Sequence, residues 1–122
     1  TAECKGIPLA YEMAKQMGIP YVVARKSTKL YMINPVCVKV KSITTAAEQT
    51  LYISESEAEM MKGKRVLIAD DVISTGESLA AIEKLVESAE GNIAGRCAVL
   101  AEGDAAERND IFYLEKLPLF FK

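Results

Sequence analysis

Apolar positions recur along this chain with two periods, and the periods mark its elements. Ile7, Tyr11, Ala14 and Met17 fall at helical spacing. Pro8 suits a first turn and Gly18 a stop, so the pattern predicts a helix over 8–17. Ile19-Pro20 then turns the chain into Tyr21-Val22-Val23-Ala24, a short apolar run that reads as a buried parallel strand. Val36, Val38 and Val40 alternate with Cys37, Lys39 and Lys41, the pattern of a half-exposed strand. Residues 42–49 are small and polar, and Leu51-Tyr52-Ile53 reads as the returning strand, so 27–54 is a long excursion containing a β-ribbon. Lys62-Gly63-Lys64 turns into a second apolar run, Val66-Leu67-Ile68-Ala69. A helix follows, with Leu79, Ile82, Leu85, Val86 and Ala89 inward and Gly91 as its stop. Ala98-Val99-Leu100 and Ile111-Phe112-Tyr113-Leu114 complete the strands. This order predicts an α/β fold with a mainly parallel sheet flanked by helices. One feature breaks the pattern: Thr1 to Gly6 leads straight into a helix with no strand feeding it. The expectation is a fragment, or a chain that completes its sheet with another.

Composition adds limits. A chain of 122 residues, 50% hydrophobic and 26% charged, fits one ordinary globular domain over 1–122. A net charge of −2 gives no broad basic field for nucleic acid or a membrane surface, so a polyanionic small ligand must be held by local donors. No apolar run approaches the roughly 20 residues that span a bilayer, and the first residues carry no signal-peptide pattern. Cys4, Cys37 and Cys97 are odd in number and widely spaced, which fits reduced thiols and a cytoplasmic protein. The absence of His argues against a zinc site and removes Ser-His and Cys-His hydrolases. Met13, Met17, Met60 and Met61 read as packing residues, and Glu55, Glu57 and Glu59 as a solvated helix start. Asp104, Glu107, Arg108 and Asp110 read as a charged loop outside the chemistry. Phe112, Leu117, Leu119, Phe120 and Phe121 form an apolar terminus suited to a dimer interface.

The chemistry concentrates at 66–78. An apolar strand ends in Asp70 and Asp71, then a loop of small residues opens a helix. In open α/β sheets ligands sit at the carboxyl ends of strands. A loop opening a helix offers unpaired N–H groups and the positive end of the helix dipole, and Ser74, Thr75, Gly76 and Ser78 add hydroxyls and close backbone approach. Such a loop can wrap a phosphate monoester. Asp70 and Asp71 would repel a phosphate, but they suit hydroxyl groups or a Mg²⁺ ion bridging to them. A ligand with a phosphate beside a diol satisfies both halves, and ribose 5-phosphate is one. The competing reading is a generic strand–Asp-Asp–helix turn, as in receiver domains or metal-dependent phosphatases, which does not call for Ser-Thr-Gly-x-Ser at the helix start.

An apolar strand, two acids, two apolar residues and Ser74-Thr75-Gly76-Glu77-Ser78 resemble the phosphoribosyl pyrophosphate (PRPP) signature of type I phosphoribosyltransferases. Glu3-Cys4-Lys5-Gly6-Ile7 resembles the family's pyrophosphate loop, where adenine phosphoribosyltransferases usually carry Glu-Ala-Arg-Gly; Lys5 keeps the charge of that Arg without its bidentate fork. Arg25-Lys26 resembles the basic pair after the next strand, and 27–49 the flexible loop that closes over the reaction centre. The spacing to Thr50-Leu51-Tyr52-Ile53 is most like the adenine branch. Departures accompany the likeness. That branch carries a Glu near the place of Thr45, whereas the first acid here is Glu48. Enzymes for 6-oxopurines tend to carry a Lys where Glu102-Gly103 stands. The family's first strand and N-terminal hood have no counterpart.

The resemblance implies purine salvage: transfer of the phosphoribosyl group from PRPP to a purine base, adenine first, with release of pyrophosphate. It implies Mg²⁺ as cofactor, PRPP and a purine base as partners, and a homodimer. Ser74, Thr75, Gly76, Glu77 and Ser78 would hold the 5′-phosphate, and Lys5, Gly6, Arg25 and Lys26 the pyrophosphate. Asp70 and Asp71 would act with Lys5 and Arg25 in catalysis and would touch the metal indirectly, through ribose hydroxyls or water. Two alternatives stay open. One is a regulatory module that binds PRPP without turnover, although no DNA-binding segment is recognisable beside it; the other is an inactive piece of a longer transferase.

Overall fold

In a computed structural model, which describes residues 1–41 and 48–118, the elements run as expected with corrections at several ends. Helix α1 (Ile7–Met17) carries Pro8 in its first turn and ends on Gly18, whose left-handed backbone (φ 68°) returns an N–H to the Ala14 carbonyl. Its buried face is Ala10 and Ala14. Tyr11 and Met17, which share that helical spacing, are exposed; Tyr11 meets Tyr21 edge-on, ring centroids 6.0 Å apart.

The run Tyr21 to Ala24 does not form the expected strand. It makes isolated bridges only, Ala24 with Ala2 in parallel and Arg25 with Tyr52 antiparallel. An apolar run becomes a ladder only where a neighbour pairs with several residues in succession; within this run only Ala24 is bridged, its N–H donating to the Thr1 carbonyl at 2.8 Å and its carbonyl accepting from the Glu3 N–H at 2.9 Å.

Strands β1 (Val36–Lys41) and β2 (Glu48–Ile53) pair antiparallel, from Val36 opposite Ile53 to Lys41 opposite Glu48. The β-ribbon reading holds, while the expectations on 42–47, Thr45 among them, and on Leu119, Phe120 and Phe121 lie outside the described residues. Helix α2 (Glu55–Met61) is set by a capping box: Ser54 accepts from the Glu57 N–H at 3.2 Å, and Glu57 accepts from the Ser54 N–H at 2.9 Å. Glu57 is therefore a capping residue, not merely a solvated one.

The central unit is β3 (Arg65–Ile73), α3 (Glu77–Ser88) and β4 (Asn92–Glu102), followed by a 3-10 turn (Gly103–Glu107) and β5 (Phe112–Leu117). The order is β3-β4-β5 and both pairs are parallel. A helical crossover returns the chain to the same end of the sheet, as parallel pairing requires. All five positions expected inward on the helix, Leu79, Ile82, Leu85, Val86 and Ala89, are buried. They pack in one cluster with Val38, Leu51, Ile53 and Ile68, so α3 joins the β-ribbon to the parallel sheet. Fully burying a Leu or Ile contributes roughly 1.5–3 kcal/mol, and this stripe fixes where the start of α3 sits.

The stop after α3 differs from expectation. Glu90, not Gly91, takes the left-handed backbone (φ 62°). Gly91 is required by space, because a Cβ there would lie 3.0 Å from Val86 Cγ1 and 3.1 Å from Val66 Cγ2. Between β3 and the segment before Ala24 lies an apolar cleft of about 400 Å³, lined by residues such as Met13, Met17, Val22, Leu67 and Ile68. It leaves Met17 and Met60 more exposed than packing residues would be.

Candidate functional site

Strand β3 carries both acids within its span. The ladder with β4 continues to Ile73 opposite Ala101, so Asp70 and Asp71 are strand residues and the loop begins after them, at Ser74. Backbone pairing does not depend on side-chain polarity, so an acidic pair is no stop signal where the partner strand runs on. The Asp71 N–H donates to Asp70 Oδ1 at 2.8 Å. Burial, and then the neighbouring Asp71 carboxyl, push Asp70 up to about 6.

The loop turns on Gly76, the residue before α3, whose φ of 84° favours glycine. Gly76 supplies no side-chain cap to the helix. Thr75 Oγ1 accepts from the Glu77 N–H at 3.3 Å, and Glu77 lies in the first turn, where its charge complements the helix dipole. The Ser74 hydroxyl donates to Glu102 Oε1 at 2.8 Å, tying the loop to the end of β4. Thr75 and Ser78 are exposed, and Ser74, Gly76 and Glu77 are half-buried. This is an open concavity of hydroxyls and helix N–H groups, chemically suited to an anion with several oxygens.

Residues 3–6 approach the acids from the other side. A Cβ on Gly6 would lie 3.0 Å from Asp70 Oδ1 and would collide with Thr1 Oγ1, so only glycine lets the loop come this close. The Glu3–Cys4 peptide of this loop is cis. The Glu3 carboxylate gathers the neighbouring basic segment: it accepts from the Lys26 N–H at 2.7 Å and faces Arg25 Nη1 at 3.7 Å and Lys29 Nζ at 3.8 Å. The Lys26 N–H, then Lys29 and Arg25, hold Glu3 below the ordinary carboxylate range. Lys5 and Lys26 point into solvent.

Thus Asp70, Asp71, Ser74, Thr75, Gly76, Glu77, Ser78 and Gly6 meet at one end of the sheet, and Arg25 joins through Glu3. Sequence reasoning missed Glu3, Lys29 and Arg108 as neighbours of the site. An acid inside a loop otherwise suited to anions was a signal for Glu3. Arg108 and Asp110 were read as loop charge, yet they form a fork, Nε to Oδ1 at 2.8 Å and Nη2 to Oδ2 at 2.6 Å, beside Gly76. The apolar cleft flanks the first half of β3 and includes none of residues 70–78. Among the described residues no cluster of three metal-ligating side chains exists.

A parallel-sheet α/β domain with a hydroxyl-rich loop between a diacidic strand and a helix N-terminus is the class that these features define. The phosphoribosyl transferase domain family matches residues 3–118, and the chain belongs to that family. A hypoxanthine/guanine phosphoribosyltransferase of Methanococcus voltae is 38% identical over 108 residues, covering 88% of this chain and 54% of that protein. An adenine phosphoribosyltransferase of Ureaplasma parvum is 34% identical over 107 residues, 84% of this chain and 56% of that protein. The purine biosynthesis transcriptional repressor PurR of Bacillus subtilis is 32% identical over 107 residues, 88% of this chain and 36% of its own length. The adenine phosphoribosyltransferase structure from Thermoanaerobacter pseudethanolicus superposes with a TM-score of 0.79 at 24% identity, covering 95% of this chain and 67% of that one, a likeness of fold. The chain spans about half the length of the transferases it matches in sequence.

Proposed function

We propose that this chain carries the PRPP-binding part of a purine phosphoribosyltransferase, with adenine as the favoured base. One observation carries the reading: the continuous run from Asp70 to Ser78, in which two strand carboxylates precede a loop whose amides open α3. The amides of 76–78 and the hydroxyls of Ser74, Thr75 and Ser78 hold the 5′-phosphate, and Asp70 and Asp71 accept hydrogen bonds from the ribose hydroxyls. Lys5, Arg25 and Lys26 face the pyrophosphate across Gly6. Arg25 is held only by a long contact with Glu3, 3.7 Å, and can turn from it to the pyrophosphate.

In the reaction a purine nitrogen forms a bond to the anomeric carbon. The bond from that carbon to pyrophosphate breaks with its electron pair going to the leaving oxygen, and the purine N–H proton passes to solvent or a base. Positive charge develops on the ribose ring, where the Asp70 and Asp71 carboxylates favour it. The donor set tests the place of Mg²⁺. Two hard carboxylate oxygen donors without a third fit an ion that arrives on the substrate and is touched through hydroxyls or water, rather than a resident site. When bound, Mg²⁺ neutralises charge on the departing pyrophosphate.

Adenine is favoured over 6-oxopurines because Glu102, at the end of β4, offers acceptors only. The 6-amino group of adenine can donate to a carboxylate, and the 6-carbonyl of hypoxanthine or guanine cannot. The reading further takes 1–122 as one domain, acting as a homodimer in the cytoplasm. Three free cysteines fit a reducing compartment, and exposed Phe112 and Leu114 fit a subunit contact.

Isothermal titration with PRPP, with and without Mg²⁺, tests the ligand; a folded sample that binds none overturns the assignment. Turnover with adenine, hypoxanthine and guanine, on this chain and on its full-length natural form, tests the activity and the base. The likeness to a transcriptional repressor supports one other reading, a PRPP sensor. Tight PRPP binding by the full-length form without turnover of any base decides for that reading.

A further inference from the structure

The carboxylates of Asp70, Asp71 and Glu102 lie around the 5′-phosphate end of the site. The basic residues Lys5, Arg25 and Lys26 belong to the opposite, pyrophosphate side. One cation does come against the loop: Arg108, from the turn between the 3-10 segment and β5. Its Nη1 is so near Gly76 that a Cβ there would lie 2.9 Å from it. Gly76 is required by its left-handed φ, and a Cβ there would also have to displace the tip of the guanidinium beside it.

The guanidinium is oriented by its other nitrogens. Nε and Nη2 are bound by Asp110, which leaves Nη1 directed at the loop. The charges around it come from three elements: Asp110 in its own turn, Glu83 on α3, and Arg96 of β4, which acts on Asp110 and pairs with Glu83 at 3.2 Å. Asp110 and then Glu83 keep the guanidinium firmly protonated. The side chain is about one-third exposed (33%), so it can reach a ligand from a braced base.

We propose that Arg108 is a further 5′-phosphate-binding residue: with Asp110 bracing its fork, Nη1 donates to a phosphate oxygen held by the 74–78 loop. The inference rests on the reading of that loop as the phosphoribosyl site and adds to it the guanidinium that stands against Gly76. A dianionic phosphate then meets neutral N–H and hydroxyl donors on one side and a fixed guanidinium on the other.

The test measures ribose 5-phosphate affinity by calorimetry for the natural chain, Arg108→Lys and Arg108→Met, each at pH 5.5 and 7.5. The second ionisation of a phosphate monoester lies near 6, so the ligand gains charge across this window; Asp70 ionises in the same window in every variant alike, so the Arg108 contribution is read as the difference between variants. In the natural chain affinity rises with pH. In Arg108→Met it is about tenfold weaker at pH 7.5, the size of one charge-assisted hydrogen bond, and the rise is flattened. Arg108→Lys restores the rise, because the charge is kept. A merely structural Arg108 lowers affinity equally at both pH values and leaves the rise intact, which overturns the proposal. So does Arg108→Met within twofold of the natural chain at pH 7.5. If Arg108→Met does not fold, Arg108→Gln is compared with Arg108→Lys by the same measure. If the natural chain itself binds no ribose 5-phosphate, it is the reading of the loop that fails.

Discussion

The Ser74 hydroxyl and the Glu102 carboxylate, 28 residues apart, share one hydrogen bond of 2.8 Å. A hydroxyl has one proton to donate. A phosphate oxygen in the 74–78 loop therefore competes with Glu102 for it, and its charge repels the same carboxylate. Filling the loop frees Glu102 to turn to another donor.

Glu102→Gln should then do two things. Removing the charge beside the loop should raise ribose 5-phosphate affinity about two- to fivefold, the scale of one partly exposed like-charge contact. An amide also offers a donor, so relative kcat/KM for hypoxanthine over adenine should rise. Side-by-side initial rates with the two bases check this, and an unchanged ratio removes Glu102 from base selection.

Asp70 carries a pH signature. Its ordinary value is 3.8 and its folded value about 6. Between these the folded chain holds a proton that the unfolded chain has released, so stability falls as pH rises through this window. Above it the buried charge costs about 1–2 kcal/mol, discounted for the solvent that still reaches the carboxylate. Asp70→Asn should therefore melt higher than the natural chain at pH 7.5 and lose that advantage at pH 4. Thermal unfolding at the two pH values checks the sign.

The same substitution should cost ligand. With Asp71→Asn alongside, PRPP affinity should fall by an order of magnitude or more, since two ribose-hydroxyl acceptors become mixed donor–acceptor amides. Calorimetry at pH 7.5 reads it; equal affinity would mean that the acids do other work.

Gly76→Ala should be destabilising by about 1–3 kcal/mol. The left-handed backbone strains any Cβ, and Arg108 Nη1 stands 2.9 Å from where it would go. Gly91→Ala is the contrasting control: its strain is packing against Val86 and Val66 rather than backbone, so it should lower melting temperature and leave ribose 5-phosphate affinity intact.

What the sequence foretold follows the range of the forces involved. The buried stripe of α3 was legible because it is a local period that packing reinforces, and the βαβ order followed from it. Tyr21 to Ala24 misled because hydrophobicity marks burial, whereas a strand also needs a partner backbone. The sequence ends β3 too early, at Asp70 and Asp71, because polarity marks the end of an apolar run while backbone pairing carries the strand on to Ile73. The Asp-Asp and Ser-Thr-Gly-x-Ser run was legible as one contiguous loop. Glu3 with Arg25 and Lys29, Ser74 with Glu102, and Gly76 with Arg108 were not, because each joins residues that only the fold brings together.

Among the described residues, strand β3 forms one rim of the parallel sheet, and its most apolar stretch, Val66 to Ala69, borders the cleft rather than another strand. Leu67 is 40% exposed there. A rim of unpaired backbone beside apolar side chains is a template for a second chain. At high concentration these molecules should stick together edge to edge, with light scattering that rises steeply with protein concentration. Leu67→Lys should keep them apart, so solubility on the bench is governed by the same strand that carries Asp70 and Asp71 at its far end.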